Sequence, residues 1–265
     1  MLSFHIEAPA VAAPGLDGWE ITRAVLLGHR PYLPEPLPEH APDILPPTAR
    51  RRGSRSTWLA VQVAQEALTS SACSADELGA VFTSSTGDPE ITDRLCRALA
   101  AAEPALSPTS FHNSVHNAPA GYWSIATGSQ QSTSSIAAYE ASFAAGLLSA
   151  AVQVHVEARP VMLVAYDLPY PEPLCRFRPL TAPFATALIL TPRKTTQSLL
   201  QCRLRVTEAI APPSRVDRRA LEALRSTVPA AKSLPILAQL AAQAPGHIEL
   251  EYLTDIGLIL DCGSC

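Results

Sequence analysis

The stretch Ala137-Ala138-Tyr139-Glu140-Ala141-Ser142-Phe143-Ala144-Ala145-Gly146-Leu147-Leu148-Ser149-Ala150-Ala151-Val152-Gln153-Val154 decides how this chain is read. It is rich in alanine and carries a single charge, Glu140. A helix that is apolar on most of its sides is a buried helix. Just beyond it, Val161 to Tyr166 and Ala185 to Thr191 are uninterrupted apolar runs of strand length, the pattern of a sheet covered on both faces. Cys202 to Ala209 alternates like a more exposed strand, and His247 to Leu253 with Gly257 to Asp261 reads as a closing hairpin. Arg215 to Leu224 and Ala230 to Gln243 are helical in pattern.

Upstream, Leu2 to Glu7 alternates as a short strand, Ser56 to Ser70 has helical periodicity, and Leu78 to Thr83 is a buried-type strand closed by Gly87-Asp88-Pro89. Glu90 to Ala102 is an amphipathic helix that Pro104 should stop. Pro119 fits the first turn of a helix that runs through Trp123 to Thr127 and ends at Gly128. Residues 30–50 hold seven prolines, which lack the N–H that a helix or inner strand needs, so this segment is extended at the surface. Strands and helices alternate along the chain, and the class is α/β.

The chain has 265 residues, of which 47% are hydrophobic and only 17% charged. Low charge at ordinary hydrophobicity favours burial of part of the surface against a partner. A net charge of −4 argues against a nucleic-acid footprint, which needs a basic face. No stretch has the roughly 18 uninterrupted apolar residues of a membrane span, and Met1 to Glu7 lacks the basic and apolar regions of a signal peptide, so the chain reads as cytoplasmic. Its six cysteines lack framework spacing, as expected of reduced thiols.

Five segments, in order and with near-matching spacing over about residues 50 to 192, resemble the β-ketoacyl synthase family. Arg51-Arg52-Gly53-Ser54-Arg55 resembles the arginine-rich lead into that family's first long helix. Ser107-Pro108 to Asn117-Ala118-Pro119-Ala120-Gly121 resembles the pocket loop that runs from Ser-Pro to Asn-x-x-Ala-Gly. Residues 137–151 take the place of the nucleophile-bearing helix, and Arg159 to Asp167 that of the following central strand. Arg178-Pro179-Leu180 to Leu190 is similar to the Arg-Pro-Phe segment and its strand. The resemblance implies a thiolase-like half: a mixed five-stranded sheet covered by helices, formed by residues 1–209, with residues 210–265 as a short helical and hairpin extension packed on it or on a partner.

Two departures bear on function. The family's cysteine lies twelve residues after the glycine matched by Gly128, a position that here holds Glu140, and no cysteine lies between Cys96 and Cys175. After residue 209 the only histidine is His247, so the family's catalytic histidine pair is missing as well. Claisen condensation needs a thiolate to carry the acyl chain and histidines to stabilise the enolate. The resemblance is closest to a short, chain-length-factor-like subgroup that accompanies aryl polyene and xanthomonadin-type pigment clusters. It implies a heterodimer with a full-length ketosynthase, no catalytic residue in this chain, and an acyl tunnel of the partner shaped by Phe111, His112, Val115, His116, Asn117, Tyr139, Glu140 and Phe143. Arg51, Arg52 and Arg55 would meet an acyl carrier protein. No metal or cofactor is expected. Two readings of other classes stand beside this one: a thioester decarboxylase, hydrolase or acyltransferase using Glu140 with His112 or His116, and a lone acyl-binding module.

Plainer accounts accompany each residue. Glu140 can pair with a partner's arginine or serve only as a carboxylate favoured near a helix N-terminus. His112 and His116 have i, i+4 spacing, but Pro108 and Asn113 argue against a regular helix there, and a structural or interface role outweighs metal binding. Cys262-Gly263-Ser264-Cys265 has neither a second pair nor a βαβ context to support zinc or redox chemistry. The serine-rich run from Ser129 to Ser135 lacks nucleophile-elbow and P-loop glycines and reads as a polar turn before a helix. Trp58, Tyr122 and Trp123 are core or interface anchors.

Overall fold

The computed structural model describes residues 1–38, 41–102, 105–209 and 211–265. In chain order its elements begin with β1 (Leu2–Ala13), β2 (Leu16–Asp17), α1 (Trp19–Leu26), α2 (Pro47–Arg52), α3 (Arg55–Thr69), β3 (Gly79–Thr83) and α4 (Pro89–Leu99). Then come α5 (Pro108–Asn113), α6 (Ala118–Thr127), β4 (Thr133–Ile136), a 3₁₀ turn at Tyr139–Ala141, α7 (Ser142–Glu157), β5 (Val161–Asp167), β6 (Phe184–Thr191) and β7 (Leu200–Thr207). The last are α8 (Arg219–Thr227), a 3₁₀ turn at Pro229–Ser233, α9 (Leu234–Ala242), β8 (Gly246–Leu253) and β9 (Ile256–Ser264). The stop expected at Pro104 lies outside the described residues, while α4 ends at Leu99.

One mixed sheet holds the molecule together, in the order β4-β3-β5-β6-β1-β7-β9-β8, with β2 paired to β1. β3 pairs parallel with β4 and β5, and the other pairings are antiparallel. The side-chain period of two splits β5 cleanly: Val161, Leu163 and Ala165 join one core, and Met162, Val164 and Tyr166 the other. The first core packs under α7, α8 and α9, and the second under α3 and α6. This is why the sequence of β5 and β6 is apolar throughout rather than alternating.

The α/β, thiolase-like expectation holds, but the expected five strands become nine among the described residues. β1 runs on to Ala13, and the serine-rich segment read as a turn contributes the edge strand β4. The segment after residue 209 adds to the same sheet, since β9 pairs along β7 from Gly257 to Ser264. The buried helix begins at Ser142 instead of residue 137, because a tight turn precedes it. α6 ends as expected, with Gly128 at φ 69° as its left-handed cap.

The hairpin β8–β9 carries a titratable clamp. His247 lies opposite Asp261 in the register; its Nδ1 is 2.7 Å from Asp261 and its Nε2 2.9 Å from Glu249. Hydrogen bonds to Glu249 and then Asp261 raise its pKa above the ordinary 6.5. The charged ring is favoured in the folded state, so its stabilising contribution is complete below about pH 6.5 and disappears as pH rises through the raised value. Chemical denaturation from about pH 6 to pH 9 should therefore show the stability advantage of wild type over His247→Gln shrinking with pH.

Candidate functional site

The position matched to the family nucleophile lies in the tight turn between β4 and α7. Tyr139 has φ 53°, a left-handed conformation unusual for a bulky residue. Ser142 ties the turn: its hydroxyl donates to the Tyr139 carbonyl at 2.8 Å and accepts from the Ala138 N–H at 3.0 Å. Thr83, at the end of β3, donates its hydroxyl to the Ser142 carbonyl at 2.7 Å. A Cβ at Gly146 would lie 2.7 Å from Thr83 Cγ2 and 3.0 Å from Leu163 Cδ1, so glycine lets α7 press onto the sheet there.

Glu140 finds two cations within its own chain. Its carboxylate bonds Arg178, and Lys232 Nζ is 3.4 Å away. Arg178 also donates to Ser85 Oγ at 2.7 Å, and its guanidinium centre lies 3.9 Å from the centre of the Tyr139 ring. Lys232 continues to Glu251 at 3.2 Å. The two cationic side chains are largely buried, at 17% and 13% exposure, against 41% for Glu140. Each side chain of this relay comes from a different part of the chain: the turn before α7, the loop before β6, the 3₁₀ turn before α9, and β8.

Beneath the relay lies Asp167, the fully buried last residue of β5. It accepts from the N–H of Ser85 (2.8 Å) and of Thr86 (3.1 Å), from the hydroxyls of Ser84 (3.1 Å) and Thr86 (3.2 Å), and from the N–H of Ala230 (2.9 Å). Burial pushes its pKa up to about 6, although these donors oppose the shift. Sequence reasoning passed over Asp167, Arg178 and Lys232 as site residues, since nothing in local spacing joins residues so far apart.

The expected interface residues fall into separate settings. Phe111, Val115 and Tyr139 stand exposed at 62%, 49% and 65%, with Ile125 beside them in sequence order on α6 at 61%. His112, Val115 and Asn117 line one open groove of about 630 Å³ together with Arg52, Tyr122 and Ile125. His116 lies with Nε2 3.0 Å from the Ile136 carbonyl. Because a carbonyl only accepts, Nε2 carries the hydrogen, and the ring fastens the α5–α6 turn to the end of β4. Phe143 departs from its expected place: it is fully buried in the core, where the sheet-facing stripe of α7 needs a large apolar side chain. Among the described residues no hydrogen bond links His112 or His116 to Glu140.

Arg51, Arg52 and Arg55 line a second cavity of about 290 Å³, and the structure adds Arg94 from α4, which sequence reasoning missed. Arg55 is bound to Glu90 at 2.6 Å, whereas Arg51 and Arg52 are exposed. Among the described residues no group of His, Cys, Asp and Glu has the arrangement of a metal site, and no helix is long and apolar enough to cross a membrane.

With this geometry in view, comparison with known proteins is direct. The family model of the β-ketoacyl synthase N-terminal domain matches residues 28–248, and the chain belongs to that family. No curated protein sequence matches it. Among solved structures it is similar to a chain of "Ketosynthase (ApeO) in Complex with its Chain Length Factor (ApeC) from Xenorhabdus doucetiae". That chain is 25% identical, with 98% of this chain and 100% of that one covered and a TM-score of 0.72. A chain of the ishigamide ketosynthase/chain length factor shares the fold at 14% identity, 98% and 99% coverage and a TM-score of 0.71. So does a chain of the AntDE:AntF complex, a type II PKS acyl-carrier protein with its ketosynthase bound to the hexaketide, at 9% identity, 100% and 99% coverage and a TM-score of 0.76.

Two substitutions test the relay and its base. Glu140→Gln removes the negative charge between Arg178 and Lys232 and, as a partly exposed pair, should cost about 1 kcal/mol in denaturant unfolding. Asp167→Asn sets an amide N–H₂ against N–H donors and should cost about 2 kcal/mol or more at neutral pH. The raised pKa of Asp167 means that the native state holds the proton more tightly than the unfolded chain. Stability therefore gains from this group as pH falls from about 7 to 5, and Asp167→Asn should lack that gain.

Proposed function

We propose that this chain is a non-condensing, chain-length-factor-like subunit that pairs with a full ketosynthase in aryl polyene or related polyketide biosynthesis and shapes the partner's acyl tunnel. The observation that carries this reading is the family's nucleophile turn holding Glu140, whose carboxylate is engaged by Arg178 and Lys232. A carboxylate held between two cations neither carries an acyl chain as a thiolate does nor serves as a ready base. On this reading the chain is a pseudoenzyme. The similarity to a chain of the ApeO–ApeC complex, covered over its entire length, supports a partnered role.

The docking face in this reading is the β4 end of the sheet. β4 is an edge strand whose four residues, Thr133-Ser134-Ser135-Ile136, are uncharged, and an open edge of this kind can accept another strand. Phe111, Val115, Ile125 and Tyr139 supply exposed apolar surface on neighbouring elements, and the groove at His112 and Asn117 continues it. Phe111, His112, Val115 and His116 are then the residues nearest the partner's tunnel. The arginines at 51, 52 and 55, joined by Arg94, outnumber Asp88 and Glu90 in one cavity, whose net positive lining suits an acidic carrier protein. The rival reading, thioester hydrolysis or decarboxylation by Glu140 with a histidine, draws no support from the hydrogen bonds at Glu140.

Co-expression with a partner ketosynthase, followed by size-exclusion chromatography, should yield a co-eluting complex, and condensation should require both chains. A ketosynthase that is active and homodimeric alone, and never co-elutes with this chain, overturns the proposal. Val115→Asp combined with Ile125→Asp should weaken assembly by about tenfold or more while leaving the isolated chain's unfolding midpoint unchanged.

A further inference from the structure

The sequence sets Cys262 beside Cys265, but the fold gives it another neighbour. Cys202 and Cys262 are direct partners in the β7–β9 register, and their sulfurs lie 3.8 Å apart. Both are buried, at 0% and 7% exposure, while Cys265 is exposed. All six thiols are free. Residues directly opposite in an antiparallel pair have Cα atoms about 4.5–5.5 Å apart, inside the roughly 4.4–6.8 Å span of disulfides. Their Cβ atoms stand about 4.5–5.5 Å apart, at or just beyond the roughly 3.5–4.5 Å that a disulfide requires. A bond can therefore form with a small approach of the strands.

We infer that Cys202 and Cys262 are a reversible redox modification site that closes to a cross-strand disulfide on exposure to a peroxide. Cys262 is the sulfur that reacts first. It retains slight solvent contact whereas Cys202 has none, and the two sulfurs lie within hydrogen-bond reach of each other. The Cys262 thiolate attacks the peroxide, breaking the O–O bond and leaving a sulfenic acid and one water. The Cys202 sulfur then attacks the Cys262 sulfur, displacing the hydroxyl as a second water. Two thiols lose one hydrogen each, two electrons pass to the peroxide, and one S–S bond forms. The crosslink fixes β9 to β7, and β9 carries β8, whose Glu251 holds Lys232 in the Glu140 relay. Oxidation would thus fasten the C-terminal hairpin that frames the site, whichever partner the chain binds.

The reduced full chain is treated with hydrogen peroxide, alkylated, and mapped by mass spectrometry without reduction. The expected product is a Cys202–Cys262 crosslink with loss of two hydrogens, reversed by dithiothreitol. It should persist in Cys265→Ser and be absent from Cys262→Ala, and oxidised wild type should unfold at higher denaturant concentration than reduced wild type. Two results overturn the inference. One is a crosslink retained in Cys262→Ala and lost in Cys265→Ser. The other is full alkylation of Cys202 and Cys262 in the unfolded protein after a peroxide dose that oxidises the exposed Cys96 and Cys265. Mapping of the wild type decides between these outcomes even where a variant does not fold.

Discussion

The carboxylate of Asp167 is the point on which the site depends. Buried at the end of β5, it gathers the loop after β3 and the 3₁₀ turn before α9 by accepting from the backbone N–H groups of Ser85, Thr86 and Ala230. Both cations that hold Glu140 are placed by what Asp167 fixes: Ser85 receives Arg178, and Lys232 lies two residues beyond Ala230. A buried charge is tolerated when its surroundings supply enough donors, and here they supply five. The turn at Tyr139 can hold its left-handed backbone because the relay above and Ser142 below leave it no other arrangement.

On the proposed reading, this arrangement explains how a chain of the β-ketoacyl synthase family can keep the architecture of a nucleophile turn without its chemistry. The close seat of α7 on β3 and β5, allowed by Gly146, depends on shape and not on a reactive sulfur. The carboxylate at the head of α7 is engaged by Arg178 and Lys232 from within the chain.

Much of this was legible in the sequence, for physical reasons that particular residues make plain. β5 and β6 announce themselves because a sheet covered on both faces has no polar side to display. Gly128 marks the end of α6 because only a residue without Cβ takes φ 69° freely. β4 was hidden: at an edge, serines with one side toward solvent look like a turn. Phe143 was misplaced because an apolar helix gives no sign of which side meets the sheet. Arg178, Lys232, Asp167 and Arg94 were beyond reach, since their roles arise from contacts between segments tens of residues apart.

The two ends of the sheet differ in a way that governs how the molecule can grow. A sheet receptive at both margins would recruit copies head to tail and build filaments without limit. β8, the margin opposite β4, alternates His247, Glu249 and Glu251 with its apolar residues, so an incoming strand there meets acidic groups and a ring already committed to Asp261. β4 carries no charge at all. On the proposed reading the molecule is receptive on one flank and repellent on the other, an asymmetry that would cap strand-to-strand association at a pair.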